Sequence, residues 1–382
     1  MRRRNLFRNR GREWRWTQGS LADSAILGCM TESRWDSAIR FRAFLFLLVC
    51  LLATFSAQAA RNPLHLFIWS EYIDPAVVAD FEKQFDAKVT IDVYEDEAAM
   101  MAKLLGGAAL YDIVVPPDHK VTALINLKLL APLRHDNIPN LANLDDKFRN
   151  PPYDRGNRFT VAYQWGTVGV YARQPSAGSI PETWGIFFDP KLQAGPFVLI
   201  DSPRDLIGAA LKYRGYSLNS TDPAQLKEVR DLLIAAKKRC LGFEGSVAGK
   251  NKVLGKTARA AIVYSGEAVR GMAEDKNTAY ILPKEGSQIW QDNLAVLAQA
   301  PHRDLAEKFI NFILDPGIGA RISNFTQFST PNRAARAHLN AGDLNNPAIY
   351  PPPEVMAKLE FLEDLGGKSR LYDEVWTAVK SR

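Results

Sequence analysis

Three apolar runs, LHLFIW at 64–69, KVTIDVY at 88–94 and YDIVVP at 111–116, are separated by helical patterns near 75–86 and 96–106. Strands this apolar must be covered on both faces, which is the condition of a parallel sheet built from βαβ units. Asp74 followed by Pro75 marks a helix start, since proline is tolerated in the first turn and aspartate caps it. Downstream, the apolar runs at 159–171 and 196–200, helices near 204–213 and 223–239, a loop before ARAAIVYSG at 258–266, and AYILP at 279–283 predict a second α/β unit. WQDNLAVLA at 290–298 leads into helices near 303–314 and 316–325, then near 352–364 and 370–381. Residues 135–158, rich in Asn, Asp, Pro and Arg, read as a long surface connection. Two α/β units followed by helices fit a bilobed protein whose chain crosses between lobes more than once.

Residues 1–59 stand outside that fold. Arg40-Phe41-Arg42 precedes the apolar run at 43–55, and Ala57-Gln58-Ala59 matches a small-x-small cleavage site, so the segment has the three regions of a secretory signal. The run is shorter than the roughly 20 residues of a membrane-spanning helix. Met30 lies at a conventional distance before it, so the start is Met30 or the signal carries a long N-terminal region. Val49 before Cys50 does not fit the small residue of a lipid-anchor site. The leader holds 10 arginines and 4 acids, which leaves 38 basic and 38 acidic residues in the remainder. The basic character belongs to the leader, and nothing global points to nucleic acid or an anionic membrane. Only Cys240 remains after the leader, so burial rather than a disulfide holds the fold, which roughly 320 residues allow.

Enzymatic constellations are missing: there is no GxSxG, HExxH, CxxC or GxGxxG after a strand. AGKNKVLGKT at 248–257 imitates a phosphate loop but has Lys250 where glycine is required. His65, His119, His135, His302 and His338 lack metal-ligand spacing, so neither a metal nor another cofactor is expected. His119 differs from the others because it follows YDIVVP.

In open α/β sheets ligands sit beyond the carboxyl ends of strands. LFIWSEYIDP at 66–75 ends a strand in Trp69, Ser70, Glu71 and Tyr72. Asp118-His119, Tyr264 with Glu267 in YSGEA, and Trp290 with Asp292 in IWQDN likewise set an aromatic or imidazole near a carboxylate. Carboxylates between aromatic walls suit an extended aliphatic polycation, whose ammonium groups take charge-assisted hydrogen bonds while its methylenes lie on rings.

These residues resemble the bacterial periplasmic polyamine-binding proteins, receptors of spermidine/putrescine ABC importers. The likeness runs through FIWSEYI at 67–73, YDIVVP, QWGTVGV at 164–170, LIDSPRDLIGAAL at 199–211, YSGEA, LPKEGSQIWQDNLAV at 282–296, KFINFIL at 308–314 and STPN at 329–332. It implies a type II periplasmic binding protein: two α/β lobes, a central ligand cleft and two crossovers, near Trp165–Thr167 and Trp290–Asp292. Lobe 1 is then 60–166 plus 292–335, and lobe 2 is 167–291 plus 336–382.

By the same resemblance Trp69 and Tyr72 match an aromatic box, with Ser70 and Glu71 between them. Trp290 matches the aromatic that stacks on methylenes, and Asp292 the carboxylate that pairs with an amine. Glu267 stands where putrescine-type members carry an acid, Asp205 at an acidic position that meets an amine, and Ser202 where another acid occurs. Tyr264 replaces a usual Trp, Pro117 a usual Ser, and His119 an aromatic or small polar residue. Leu362 falls near a position that is polar in the spermidine receptor. The resemblance implies a monomeric, non-enzymatic receptor, released into the periplasm by cleavage near Ala59, that delivers a putrescine- or spermidine-class ligand to an inner-membrane permease with its cytoplasmic ATPase. The alternatives are the same fold tuned to another amine such as agmatine or an aromatic amine, and, more remotely, an exported enzyme using Glu267 and Asp292 as an acid/base pair.

Overall fold

The computed structural model describes residues 62–107, 110–193 and 195–381. The leader, with Met30, Cys29, Cys50 and the expected cleavage site, lies outside them. The fold begins with β1 (Asn62–Trp69), α1 (Pro75–Phe85), β2 (Ala87–Tyr94), α2 (Glu97–Leu105), β3 (Ile113–Val114) and α3 (Asp118–Asn126). Asp74 accepts from the Ala76 amide at 2.8 Å and Asp96 from the Ala99 amide at 2.7 Å. Each cap contributes about 1 kcal/mol and fixes where its helix starts. β1 is parallel to β2 on one side and β3 on the other. Leu64, Leu66 and Ile68 are buried in one core with Val77 and Phe81 of α1.

The chain continues through β4 (Thr160–Arg173), β5 (Phe197–Ile200), α4 (Pro203–Tyr213), α5 (Pro223–Lys237), β6 (Phe243–Glu244), α6 (Ser246–Leu254), β7 (Ala260–Tyr264), α7 (Ser265–Glu274), β8 (Thr278–Ile281) and β9 (Ser287–Val296). It closes with α8 (Arg303–Ile313), α9 (Pro316–Thr326), the short β10 (Leu359–Glu360) and α10 (Ser369–Ser381). The strand order is β2-β1-β3-β9-β4-β7-β5-β6, with β10 on β9 and β8 on β4. The long strands join the two halves: β4 pairs with β9 from Thr160 to Thr167, then with β7 and β8 from Val168 to Arg173. Both strands are buried almost throughout, which explains why they read as continuous apolar runs.

Several elements differ from the sequence expectation. The 135–158 connection lies largely at the surface but is not structureless: it forms three short 3-10 turns, with Ile138, Leu144 and Phe148 beside or within them buried. Asp154 makes this possible by accepting from the amides of Arg158, Phe159 and Thr160, so the backbone is satisfied away from water. The loop expected before 258 contains α6, whose inward face is Ser246, Gly249, Lys250 and Val253 rather than an apolar stripe. The helix expected near 352–364 is one turn at Pro353–Met356 followed by β10, which pairs parallel with β9. Trp290 and Asp292 lie inside β9 rather than at a strand end.

Candidate functional site

β1 delivers the first aromatic wall. Trp69 ends the strand and packs on Tyr94, their rings 4.6 Å apart. The chain then turns through Glu71 at a positive φ of 54°, a conformation few non-glycine residues adopt. Two side chains of β4 hold that turn by donating to the Tyr72 carbonyl, the Tyr163 hydroxyl at 2.8 Å and Gln164 Nε2 at 3.2 Å. Tyr72 is thereby set edge-on to Tyr163 and Phe328.

Four helix N-termini contribute acids. Glu97 opens α2, Asp118 opens α3, Asp205 lies in the first turn of α4 and Glu267 in that of α7. The macrodipole and unpaired amides of a first turn stabilise a carboxylate there. The helix ends that would otherwise receive an anionic ligand are thus occupied by the protein's own acids. Asp205 accepts from the Tyr264 hydroxyl at 2.7 Å, and burial pushes its carboxyl above the usual range despite that bond. Burial also raises Glu267, with Arg270 at 3.6 Å opposing.

His119 is buried between two of these acids. Its Nε2 lies 3.0 Å from Glu97 Oε2 and its Nδ1 3.3 Å from Asp118 Oδ1. Lys120 also reaches Glu97, at 3.1 Å. Against burial, which alone would lower it, Glu97 and Asp118 raise the imidazole to about 9. Against burial, which alone would raise it, His119 and Lys120 lower Glu97 to about 2.

β9 supplies the facing wall. Trp290 packs on Phe328 at 5.1 Å, Tyr264 at 5.8 Å and Tyr72 at 6.5 Å. It also covers Gly166 of β4 so closely that a Cβ there would lie 2.6 Å from its Cζ2. Asp292 is 6 % exposed and has no ion-pair partner among the described residues. Burial pushes its carboxyl well above the usual range, with the neighbouring Tyr72 hydroxyl opposing.

These groups enclose a cavity of about 460 Å³, lined by Trp69, Ser70, Tyr72, Pro117, His119, Asp205, Tyr264, Glu267, Trp290 and Asp292, and also by Glu95, Glu97, Gly245, Ser246, Val247, Ala248, Asn251, Gln288 and Phe328. That size suits a small organic ligand. Five carboxylates line it, and among the described residues no lysine or arginine does. Trp69 Nε1, Tyr72 Oη, Glu267 Oε2 and Trp290 Nε1 are buried without a hydrogen-bond partner, as is Asp118 Oδ2 beside His119. Buried polar atoms left unpaired cost about 1–3 kcal/mol each; Tyr72 Oη and Glu267 Oε2 can accept from a ligand donor, whereas the two indole N–H groups can only donate. A smaller cavity of about 210 Å³ holds Arg173 and Arg259 and none of the expected site residues.

A family model for the bacterial extracellular solute-binding proteins matches residues 76–349. The chain belongs to this family. It is a family of solute-binding transport proteins rather than of enzymes. The chain is 32 % identical over 350 residues to the putrescine/cadaverine-binding protein of Pseudomonas aeruginosa, covering 88 % of this chain and 99 % of that one. It is 29 % identical to the spermidine/putrescine-binding periplasmic protein of Escherichia coli, covering 84 % and 92 %. Among solved structures it is similar to a putative spermidine/putrescine ABC transporter protein of Listeria monocytogenes, with a TM-score of 0.78, 32 % identity and coverage of 84 % and 99 %. The fold is accordingly that of the periplasmic binding proteins, as the resemblance implied.

In this solute-binding protein ten of the expected site residues line one cavity, and three do not. Glu71 is exposed and turns to Arg270, Asp118 sits behind His119, and Ser202 precedes α4. Leu362 is buried and likewise does not line it. Sequence reasoning missed Glu95 and Glu97, although the strand-end rule applied to β2 would have reached them in YEDE. It missed Ser246 and Asn251 because it missed α6. Phe328, Gln288 and the short Gly245–Ala248 stretch carried no signal by themselves.

Proposed function

We propose that this protein is a receptor that captures an aliphatic amine of the putrescine and spermidine class and delivers it to an ABC import permease with its ATPase. One observation carries the reading: a cavity walled by Trp69, Tyr72, Tyr264, Trp290 and Phe328 is lined by five carboxylates and by no lysine or arginine of the described chain. Such a lining leaves negative charge for the ligand to neutralise, and rings on which methylenes can lie. The direct contacts assigned are Trp69, Tyr72 and Trp290 for the methylenes, and Asp292, Asp205 and Glu267 for the ammonium groups, with Ser70, Pro117, His119 and Tyr264 completing the wall. Residues 60–166 with 292–335 form one lobe and 167–291 with 336–382 the other. Differential contact of the ligand with both lobes drives closure. The leader directs export to the periplasm, with cleavage near Ala59.

Calorimetric titration with putrescine, cadaverine, agmatine, spermidine and spermine tests the reading. Micromolar or tighter binding of at least one amine is expected, and no heat with any of them would overturn it. Tyr264, Pro117 and His119, where the chain departs from the pattern it resembles, favour a second reading in which agmatine or another organic amine is preferred. A relative 30 % identical over 347 residues is the putrescine/agmatine-binding protein of Pseudomonas aeruginosa. The same titrations rank the two.

A further inference from the structure

The carboxylates around the cavity are not equivalent. Glu97 and Asp118 are already engaged with His119, at 3.0 and 3.3 Å, and Glu97 with Lys120 at 3.1 Å. An ionised carboxylate only accepts hydrogen bonds, so an imidazole placed between two of them donates from both nitrogens and carries a positive charge. Two carboxylates, one imidazolium and one ammonium make a cluster of zero net charge, built into the wall before any ligand arrives.

Glu267 is partly compensated by Arg270 at 3.6 Å, and Glu95 is exposed at the rim. Asp205 and Asp292 remain as the buried cavity acids without an ion pair among the described residues. Both feel His119 electrostatically, in the sense that keeps them ionised. A third ligand ammonium entering on the His119 side would meet a fixed cation instead of a free acid.

We propose that His119 sets ligand specificity: clamped between Glu97 and Asp118, it takes the place of a ligand ammonium group and restricts the tight-binding ligands to those with two cationic centres. The inference rests on the amine reading of the cavity and adds to it the number of charges. It gives a specific role to a residue that the sequence marked as a candidate at a strand end and as a departure from the pattern it resembles.

The test compares putrescine, with two ammonium groups, and spermidine, with three, by calorimetry at pH 7.5 on the mature protein. Wild type is expected to prefer putrescine by about tenfold or more. His119→Gln removes the fixed charge and is expected to move the affinity ratio about tenfold toward spermidine. His119→Lys restores a cation and should return the ratio to within about threefold of wild type. Nitrogen-15 NMR of the wild-type His119 ring supplies a readout that does not depend on the variants folding, with both ring nitrogens expected to be protonated at pH 7.5. A neutral ring with protonation at one nitrogen, equal affinity of wild type for the two ligands, or a ratio unchanged in His119→Gln would each overturn the proposal while leaving the amine receptor intact. Failure of wild type to bind any aliphatic amine would instead overturn the amine reading on which it stands.

Discussion

The Arg270 guanidinium of α7 lies 3.3 Å from the Glu71 carboxylate in the turn after β1, and donates at 2.6 Å to the carbonyl of Thr326 at the end of α9. α7 borders β7 and β8, whereas Glu71 and Thr326 belong to elements on the other side of the β4–β9 pair. Arg270 therefore ties the two halves together at the rim of the cavity, one turn along α7 from Glu267. Because Glu71 is exposed, this pair is worth only about 0.2–1 kcal/mol. Glu71→Gln is expected to speed ligand dissociation by no more than about fivefold, measured by stopped-flow fluorescence of the cavity tryptophans. Unchanged release, or loss of binding altogether, would contradict a rim tie.

Asp292 separates the needs of the site from the needs of the fold. Its burial without an ion pair disfavours the charged form in the empty protein, so Asp292→Asn is expected to leave the melting temperature unchanged or higher. The same change strips a buried ligand ammonium of its partner, a loss of about 2–5 kcal/mol, so affinity should fall roughly 30-fold or more. Calorimetry and thermal melting of the empty protein check the two halves. A variant that melts much lower than wild type would mean that Asp292 holds the fold.

How far this site was legible follows from where its signals lie along the chain. β1 and β4 announced themselves because burial on both faces leaves an unbroken apolar run, and Trp69, Tyr72, Trp290 and Asp292 stood out as polar or aromatic interruptions at the ends or middles of such runs. α6 stayed hidden because its inward face is Ser246, Gly249 and Lys250, so no apolar period of 3.6 exists to be read. Glu97 was not singled out, and its contact with His119, 22 residues later, is a tertiary one that no local pattern announces. At 135–158 polarity did mark the surface, but the 3-10 turns went unread because their few buried anchors are scattered and Asp154 satisfies the amides of Phe159 and Thr160 without any periodic signal.

Gly166 tests the rigidity of the Trp290 wall. A Cβ at that position would lie 2.6 Å from Trp290 Cζ2 and 2.8 Å from Ser265 Oγ, and a buried indole packed on Phe328 and Tyr264 has little room to give. Gly166→Ala is expected to cost about 1–3 kcal/mol of stability and to weaken amine binding by displacing the indole into the cavity. Gly342→Ala, where a Cβ meets nothing within 4 Å, is the control and should change neither. Full stability of Gly166→Ala by chemical denaturation would show that the wall moves freely.

The buried acids make binding depend on pH with a definite sign. Asp292, Asp205 and Glu267 have folded pKa values raised above the ordinary value near 4, chiefly by burial. Each raised carboxyl contributes stability that is fully present below its unfolded pKa and is lost as pH rises through its folded pKa. The melting temperature of the empty protein should therefore fall as pH rises from about 4 through that folded range. An ammonium ligand favours the ionised carboxylates, so binding releases protons and tightens as pH rises toward 8. His119, raised to about 9, and Glu97, lowered to about 2, largely keep their charge in the folded protein over that span and add little to the change in binding, although His119 adds to the fall in melting temperature as pH rises above its unfolded pKa. Titrating putrescine at pH 5.5 in two buffers of different ionisation enthalpy measures the protons released. Identical heats in both buffers, together with a flat affinity from pH 5 to 8, would show that these acids are already ionised before the ligand arrives.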